Sequence, residues 1–133
     1  MSEEPSIFTK IIRGDIPAYK IYEDDHAVAF LDIAPTQPGH TLVVPKVQVD
    51  RLENLSDNEY QALMAAVRAV MKRVVEVYGA EYRACLKVIG FDVPHAHVHV
   101  IPCQSGKEFH HFDPDAQPAP DDELAAVAEK LRF

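Results

Sequence analysis

The chain has 133 residues, 47% of them apolar, which suits one soluble domain with a real core. Its formal charge of −8, from 13 basic and 21 acidic side chains, argues against binding polymeric nucleic acid or an anionic membrane through a basic field. A small anionic ligand stays compatible if the site supplies its own donors. The opening "MSEEPSIFTK" lacks the basic and apolar regions of a signal peptide, and no apolar run approaches the ~18 residues of a membrane span. Cys85 and Cys103 are far apart and fit no metal or redox spacing. They read as reduced thiols, with the cytoplasm as the default location.

In chain order, "SIFTKIIRGDIP" reads as a short helix ended by Gly14 and the Ile16–Pro17 pair. "YKIYE" and "AVAFLDI" read as strands around a polar turn of Glu23, Asp24, Asp25 and His26. "PTQPGH" is a loop and "TLVVPK" a third strand. Ser56 and Glu59 then make a capping-box pattern for a long helix, with Leu63, Val67, Val70, Val74 and Tyr78 on one stripe and Gly79 closing it. "RACLKVI" and "HAHVHVIP" read as a fourth and a fifth strand. "DPDAQPAP" is a Pro-rich linker before an amphipathic C-terminal helix in "DDELAAVAEKLRF". Residues 1–110 therefore form the expected domain, and 111–133 a linker plus a helix packed on or near it. Strands grouped before and after one long helix, without strict alternation, predict an α+β fold with a largely antiparallel sheet.

The stretch "PHAHVHVIP" carries the chemistry. In a strand, His95, His97 and His99 project from one face, while Ala96, Val98 and Val100 face the core. Three imidazoles side by side are costly as packing, because each nitrogen needs a partner and protonated rings repel one another. A solvated polar face is the plain alternative, although such faces usually draw on Thr, Lys, Glu and Ser. Two functional readings remain: zinc ligands, or an anion site in which one His attacks phosphorus while its neighbours hold the oxygens. Spacing alone does not separate them.

Taken together, "SIFTKIIRGDIP", "YEDDHAVAFLDIAP", "PGHTLVVPK" and "HAHVHVIP" resemble, in order, the blocks of the histidine triad (HIT) nucleotide hydrolases and transferases. The resemblance spans about Ser6 to Pro102. It implies a five-stranded antiparallel sheet with one long and one short helix, paired into a homodimer. It implies hydrolysis at the α-phosphate of a purine nucleotide derivative, through a nucleotidyl-histidine intermediate and without a cofactor. By that analogy His97 is the nucleophile, His95 and His99 hold phosphate oxygens, and His40 is the family's fourth histidine. Asp32 matches the acid that binds the ribose hydroxyls, and Ile7, Phe8, Ile11, Phe30 and Ile33 match positions lining the base. Lys46 matches a family lysine and reads as a structural or surface charge.

The chain departs from the pattern before the triad. "VIGFDVP" is short, and Phe91 and Asp92 replace a polar pair, which puts an anionic Asp92 near the expected phosphate. Some bacterial members bind a structural zinc through Cys-x-x-Cys in the first block; Ser6 and Thr9 stand there instead, so that zinc is not expected. His110 and His111 read as surface residues or as groups approaching a site across a dimer. A nucleotide-binding module with crippled turnover and a His₃ zinc hydrolase are the rival functions.

Overall fold

The structure is a computed structural model and describes residues 4–133; Met1, Ser2 and Glu3, part of the acidic start read as lacking a signal peptide, lie outside them. Helix α1 spans Ile7–Arg13. The hydroxyl of Ser6 accepts from the Thr9 N–H as its N-cap, and Gly14 ends it at φ 83°, a left-handed conformation that disfavours any side chain. Strands β1 (Lys20–Glu23), β2 (Ala27–Leu31) and β3 (Thr41–Pro45) follow. The turn between the first two closes on Asp24, whose carboxylate accepts from the His26 and Ala27 N–H groups. Helix α2 runs Asp57–Tyr78 behind the predicted capping box of Ser56 and Glu59. Strands β4 (Arg83–Lys87) and β5 (Val98–Cys103), the short α3 (Gly106–Phe109) and α4 (Asp121–Leu131) complete the chain.

All five strands pair antiparallel in the order β1-β2-β3-β5-β4, as the α+β reading anticipates. One face is covered by α2: Ala29, Leu31, Val43, Val98 and Val100 pack with Leu63, Val67, Val70 and Val74. Leu124, Ala128 and Leu131 of α4 join this same cluster, so the C-terminal helix shares the core of the sheet. It is tied further by the Arg73 guanidinium, which donates to the main-chain carbonyls of Lys130, Leu131 and Arg132 at its C-terminal end. On the other face Val28, Phe30, Leu42 and Val44 pack against Phe8 and Ile11 of α1. Among the described residues, no helix is long and apolar enough to cross a membrane.

Strands β2 and β4 end two residues before the expected segments do, and the start of β5 differs most. The fifth strand was expected from His95; the ladder starts at Val98, opposite Val43. Continuing that register would bring Ala96 opposite Pro45, which has no N–H to give. The main chain turns to other partners instead: the His95 N–H donates to Val93 O (2.8 Å) and the Ala96 N–H to Val49 O (2.7 Å).

Candidate active site

The pairing register fixes a row across the sheet. Phe30 lies opposite Leu42, Leu42 opposite His99, and His99 opposite Lys87. This row is on the α1 face, and the two upstream histidines reach the same side. Phe8 meets His97 edge-on at 5.0 Å between ring centres and His95 at 5.8 Å, while His97 meets His99 at 5.2 Å. The expected common face therefore survives although His95 and His97 precede the strand.

Backbone groups settle which nitrogens carry protons. A carbonyl oxygen only accepts, so His97 Nδ1, 2.7 Å from the carbonyl of His95, carries a hydrogen. In neutral His97 the lone pair is then at Nε2. His95 Nε2 lies 2.8 Å from the carbonyl of Pro45 and so carries its hydrogen there. Its Nδ1 lies 2.7 Å from the Ser6 hydroxyl, which donates to it. Both nitrogens of His95 are thus occupied, and the ring is 0% exposed. Expected to hold a phosphate oxygen, His95 offers no free donor for one; its place is beneath His97.

A second chain runs through the other two rings. The Thr36 N–H donates to His40 Nδ1 (3.1 Å), so neutral His40 is protonated at Nε2. That nitrogen lies 2.9 Å from His99 Nδ1, leaving His99 with its own hydrogen on Nε2, available to a ligand. Burial pushes His40 down to about 4, helped by the charge of Lys87. His99 is also pushed down to about 4, first by burial and then by His40, His97 and Lys87, with Asp32 opposing. Both rings are neutral at pH 7, as one donor and one acceptor in a mutual bond require. Burial lowers His95 too.

Asp32 sits at the end of this chain. One carboxylate oxygen accepts from the Ala34 N–H at 2.9 Å, and the other lies 3.7 Å from His40 Nε2, partly open to solvent. The five residues matched to a base pocket separate. Phe8, Ile11 and Phe30 are buried in the core beneath the histidines, whereas Ile7 and Ile33 are 48% and 55% exposed. Asp92 is exposed, and Phe91 is 92% exposed. His110 and His111 are exposed beyond α3. A groove of about 1100 Å³ lies between α2 and β4, and none of the four histidines lines it.

Three possible metal positions can be tested against these hydrogen bonds. Asp32, His40 and His99 bring ligand atoms within 4.8 Å of one another. Ligation through His40 Nε2 would require that nitrogen to lose its hydrogen while Nδ1 still faces the Thr36 N–H, the reverse of the usual arrangement around a metal-bound histidine. The three triad histidines do not offer converging lone pairs, since that of His95 is taken by Ser6. At the first block, the hydroxyls of Ser6 and Thr9 stand where thiolates would, and Thr9 Oγ1 is already committed, donating to the Gln48 amide oxygen at 2.6 Å. None of the three donor sets suits a resident metal.

The resemblance read from the blocks is matched by direct comparison. The family model for the HIT domain matches residues 13–106. This chain belongs to the HIT family. It is 40% identical over 103 residues to an uncharacterized HIT-like protein of Methanocaldococcus jannaschii, covering 75% of this chain and 80% of that one. It is 39% identical over 100 residues to the adenosine 5'-monophosphoramidase of Schizosaccharomyces pombe, covering 72% of each. The crystal structure of a Hit-like protein from Bartonella henselae superposes with a TM-score of 0.82 at 30% identity, over 99% of this HIT chain and 97% of that one.

Several residues of the site gave no usable signal in the sequence. Gln48, Thr36 and the carbonyl of Pro45 act through bonds that only the fold brings together. Ser6 was noticed only as the absence of a cysteine. Lys87 falls nearest to an asparagine of the family pattern that has no clear equivalent in this sequence, and pairing register sets it directly opposite His99.

Proposed function

We propose that this HIT protein hydrolyses nucleoside phosphoramidates or related adenylates at the α-phosphorus and releases a nucleoside monophosphate such as AMP. The observation that carries the reading is the fixed protonation pattern: a lone pair at His97 Nε2 beside an N–H donor at His99 Nε2. Nε2 of His97 attacks phosphorus as the bond to the leaving nitrogen breaks, and the amine departs with a proton drawn from solvent. Nδ1 keeps its hydrogen on the His95 carbonyl, which stabilises the positive charge on the nucleotidyl-imidazole. Water then attacks phosphorus and gives up a proton to solvent, the bond to Nε2 breaks with its electron pair returning to the ring, and neutral His97 is restored. His99 donates to a phosphate oxygen, and the Lys87 ammonium supplies the nearby positive charge. Asp32 offers its open oxygen to the ribose diol, and the exposed Ile7 and Ile33 offer apolar surface to a purine. The relative named as an adenosine 5'-monophosphoramidase supports this substrate class.

The protein works, in this reading, as a homodimer in the cytoplasm. β4 is an open sheet edge, and beside it Tyr60, Met64, Met71 and Tyr82 line the large apolar groove, a surface suited to a second copy of the chain. Sedimentation showing only monomer at micromolar concentration would remove the dimer from the proposal.

The deciding experiment is AMP release from an adenosine phosphoramidate, with and without a chelator, combined with an alkaline quench, intact mass and peptide mapping, because a P–N bond to histidine survives base and not acid. Release that survives the chelator, with one adenylyl group trapped on His97, is expected. AMP binding without release from any substrate would favour the binding-module reading instead.

A further inference from the structure

We propose that Ser6 is a positioning residue for the nucleophile: its hydroxyl holds the His95 ring so that the His95 carbonyl keeps His97 protonated at Nδ1. The inference rests on His97 being the nucleophile, and it concerns a buried side chain that bonds to His95 and not to His97.

Ser6 is buried at the start of α1. Its Oγ accepts the Thr9 N–H at 3.0 Å, and its own N–H donates to Gln48 Oε1 at 2.8 Å. Its hydroxyl hydrogen has two acceptors within reach, His95 Nδ1 at 2.7 Å and Thr9 Oγ1 at 3.3 Å, and goes to the nearer, the His95 nitrogen. Thr9 Oγ1 is farther from that nitrogen, at 3.3 Å, and its hydrogen is given to Gln48. Ser6 is therefore the donor that completes His95. A helix N-cap alone would need only the bond to Thr9.

The consequence passes along the main chain. The His95 ring is clamped between Ser6 and the carbonyl of Pro45, and so ties the start of α1 to the end of β3. The peptide group that follows His95 is clamped as well. Its N–H, on Ala96, donates to Val49 O, and its carbonyl receives His97 Nδ1–H at 2.7 Å. With ring and peptide both held, His97 has one neutral tautomer and one direction for its lone pair. Without the Ser6 hydroxyl, a buried His95 nitrogen loses its donor. The ring can then flip, releasing the clamp beside the carbonyl that His97 uses.

The test has a kinetic arm and a spectroscopic arm. Ser6→Ala is expected to lower kcat for AMP release by about 10- to 100-fold, by analogy with the loss of an orienting bond behind a metal-bound histidine. KM should stay within about twofold, because no ligand contact is removed. Ser6→Thr keeps the hydroxyl and should restore most of the rate. Ser56→Ala, which removes the N-cap of α2, should lower the melting temperature comparably and leave kcat unchanged. ¹⁵N-histidine NMR of the wild-type protein at pH 7 should show His95 as the Nε2–H and His97 as the Nδ1–H tautomer, with that pattern lost in Ser6→Ala. An unchanged kcat in Ser6→Ala, or a loss matched by Ser56→Ala, would overturn the proposal. So would a wild-type His95 protonated at Nδ1, a result that needs no variant to fold. Absence of AMP release by the wild type, with the expected tautomers in place, would count against the hydrolase reading and leave the Ser6 clamp standing.

Discussion

Against α2 the sheet presents Ala29, Val43, Val98 and Val100, held by contact area that does not depend on direction. Across the same strands it presents His99 toward α1, and beside it His95 and His97, each held by hydrogen bonds of fixed polarity. Burial stabilises the first face in proportion to apolar area. On the second face burial is a cost, and it is offset only because each buried ring nitrogen has a partner of the right kind. The α2 face thus sets stability, and the α1 face sets protonation.

The sharpest way to break that contrast is to truncate one residue on each side. His97→Ala removes the nitrogen proposed to attack phosphorus, and AMP release should fall by at least ~10³-fold. Its urea unfolding should still be one cooperative transition, since the α2 core is untouched. Leu63→Ala on α2 should do the opposite. Leu63 is fully buried, so the cavity should cost about 2–5 kcal/mol in urea unfolding. The kcat of the folded fraction should stay near that of the wild type. A His97→Ala protein with wild-type turnover would end the nucleophile assignment.

Acid should separate the faces by a smaller margin. His40 and His99 stand at about 4 when folded, against 6.5 for an ordinary histidine. Between those values the unfolded chain binds more protons, so stability should fall as pH drops from about 6.5 to about 4. Above pH 6.5 the two rings should contribute no slope. At about 1.4 kcal/mol per unit of displacement, and with the two rings coupled, the loss should total a few kcal/mol. His99→Gln keeps an acceptor for His40 and should flatten that decline in urea midpoints taken at pH 7 and pH 5. Equal slopes for both proteins would place the acid sensitivity elsewhere.

The same division explains what could be read from the sequence. Periodicity reports faces, so the five strands, the Leu63–Val67–Val70–Val74 stripe and the common side of the three histidines were all legible. Caps were legible too, because Ser56 and Glu59 act within one turn. Hydrogen-bond partners far apart in sequence were not. His95 reads as a phosphate holder until Ser6 and Pro45 are seen to occupy both its nitrogens. The start of β5 was misplaced because Pro45, on another strand, decides where the ladder ends. The base-lining set was mixed for a similar reason: Phe8, Ile11 and Phe30 are core, and exposure alone sets Ile7 and Ile33 apart.

Lys87 offers the smallest expected effect and the finest test of the α1 face. It lies opposite His99, and its charge helps depress both His40 and His99. Lys87→Gln removes a half-buried cation, so kcat/KM for an anionic substrate should fall only about 3- to 10-fold, with a weaker dependence on salt. The sign at low pH follows from the same charge. Losing a neighbouring cation makes the imidazoles easier to protonate, so His40 and His99 should rise toward 6.5 and the acid limb of the rate profile should move to higher pH. Lys46→Gln is the matched control: its ammonium pairs with Glu23 at 2.9 Å, and neither histidine is shifted by it. If both variants shift the limb equally, the effect belongs to net charge. If Lys87→Gln alone shifts it, the cation beside His99 is part of what keeps the histidine face neutral and ready to donate.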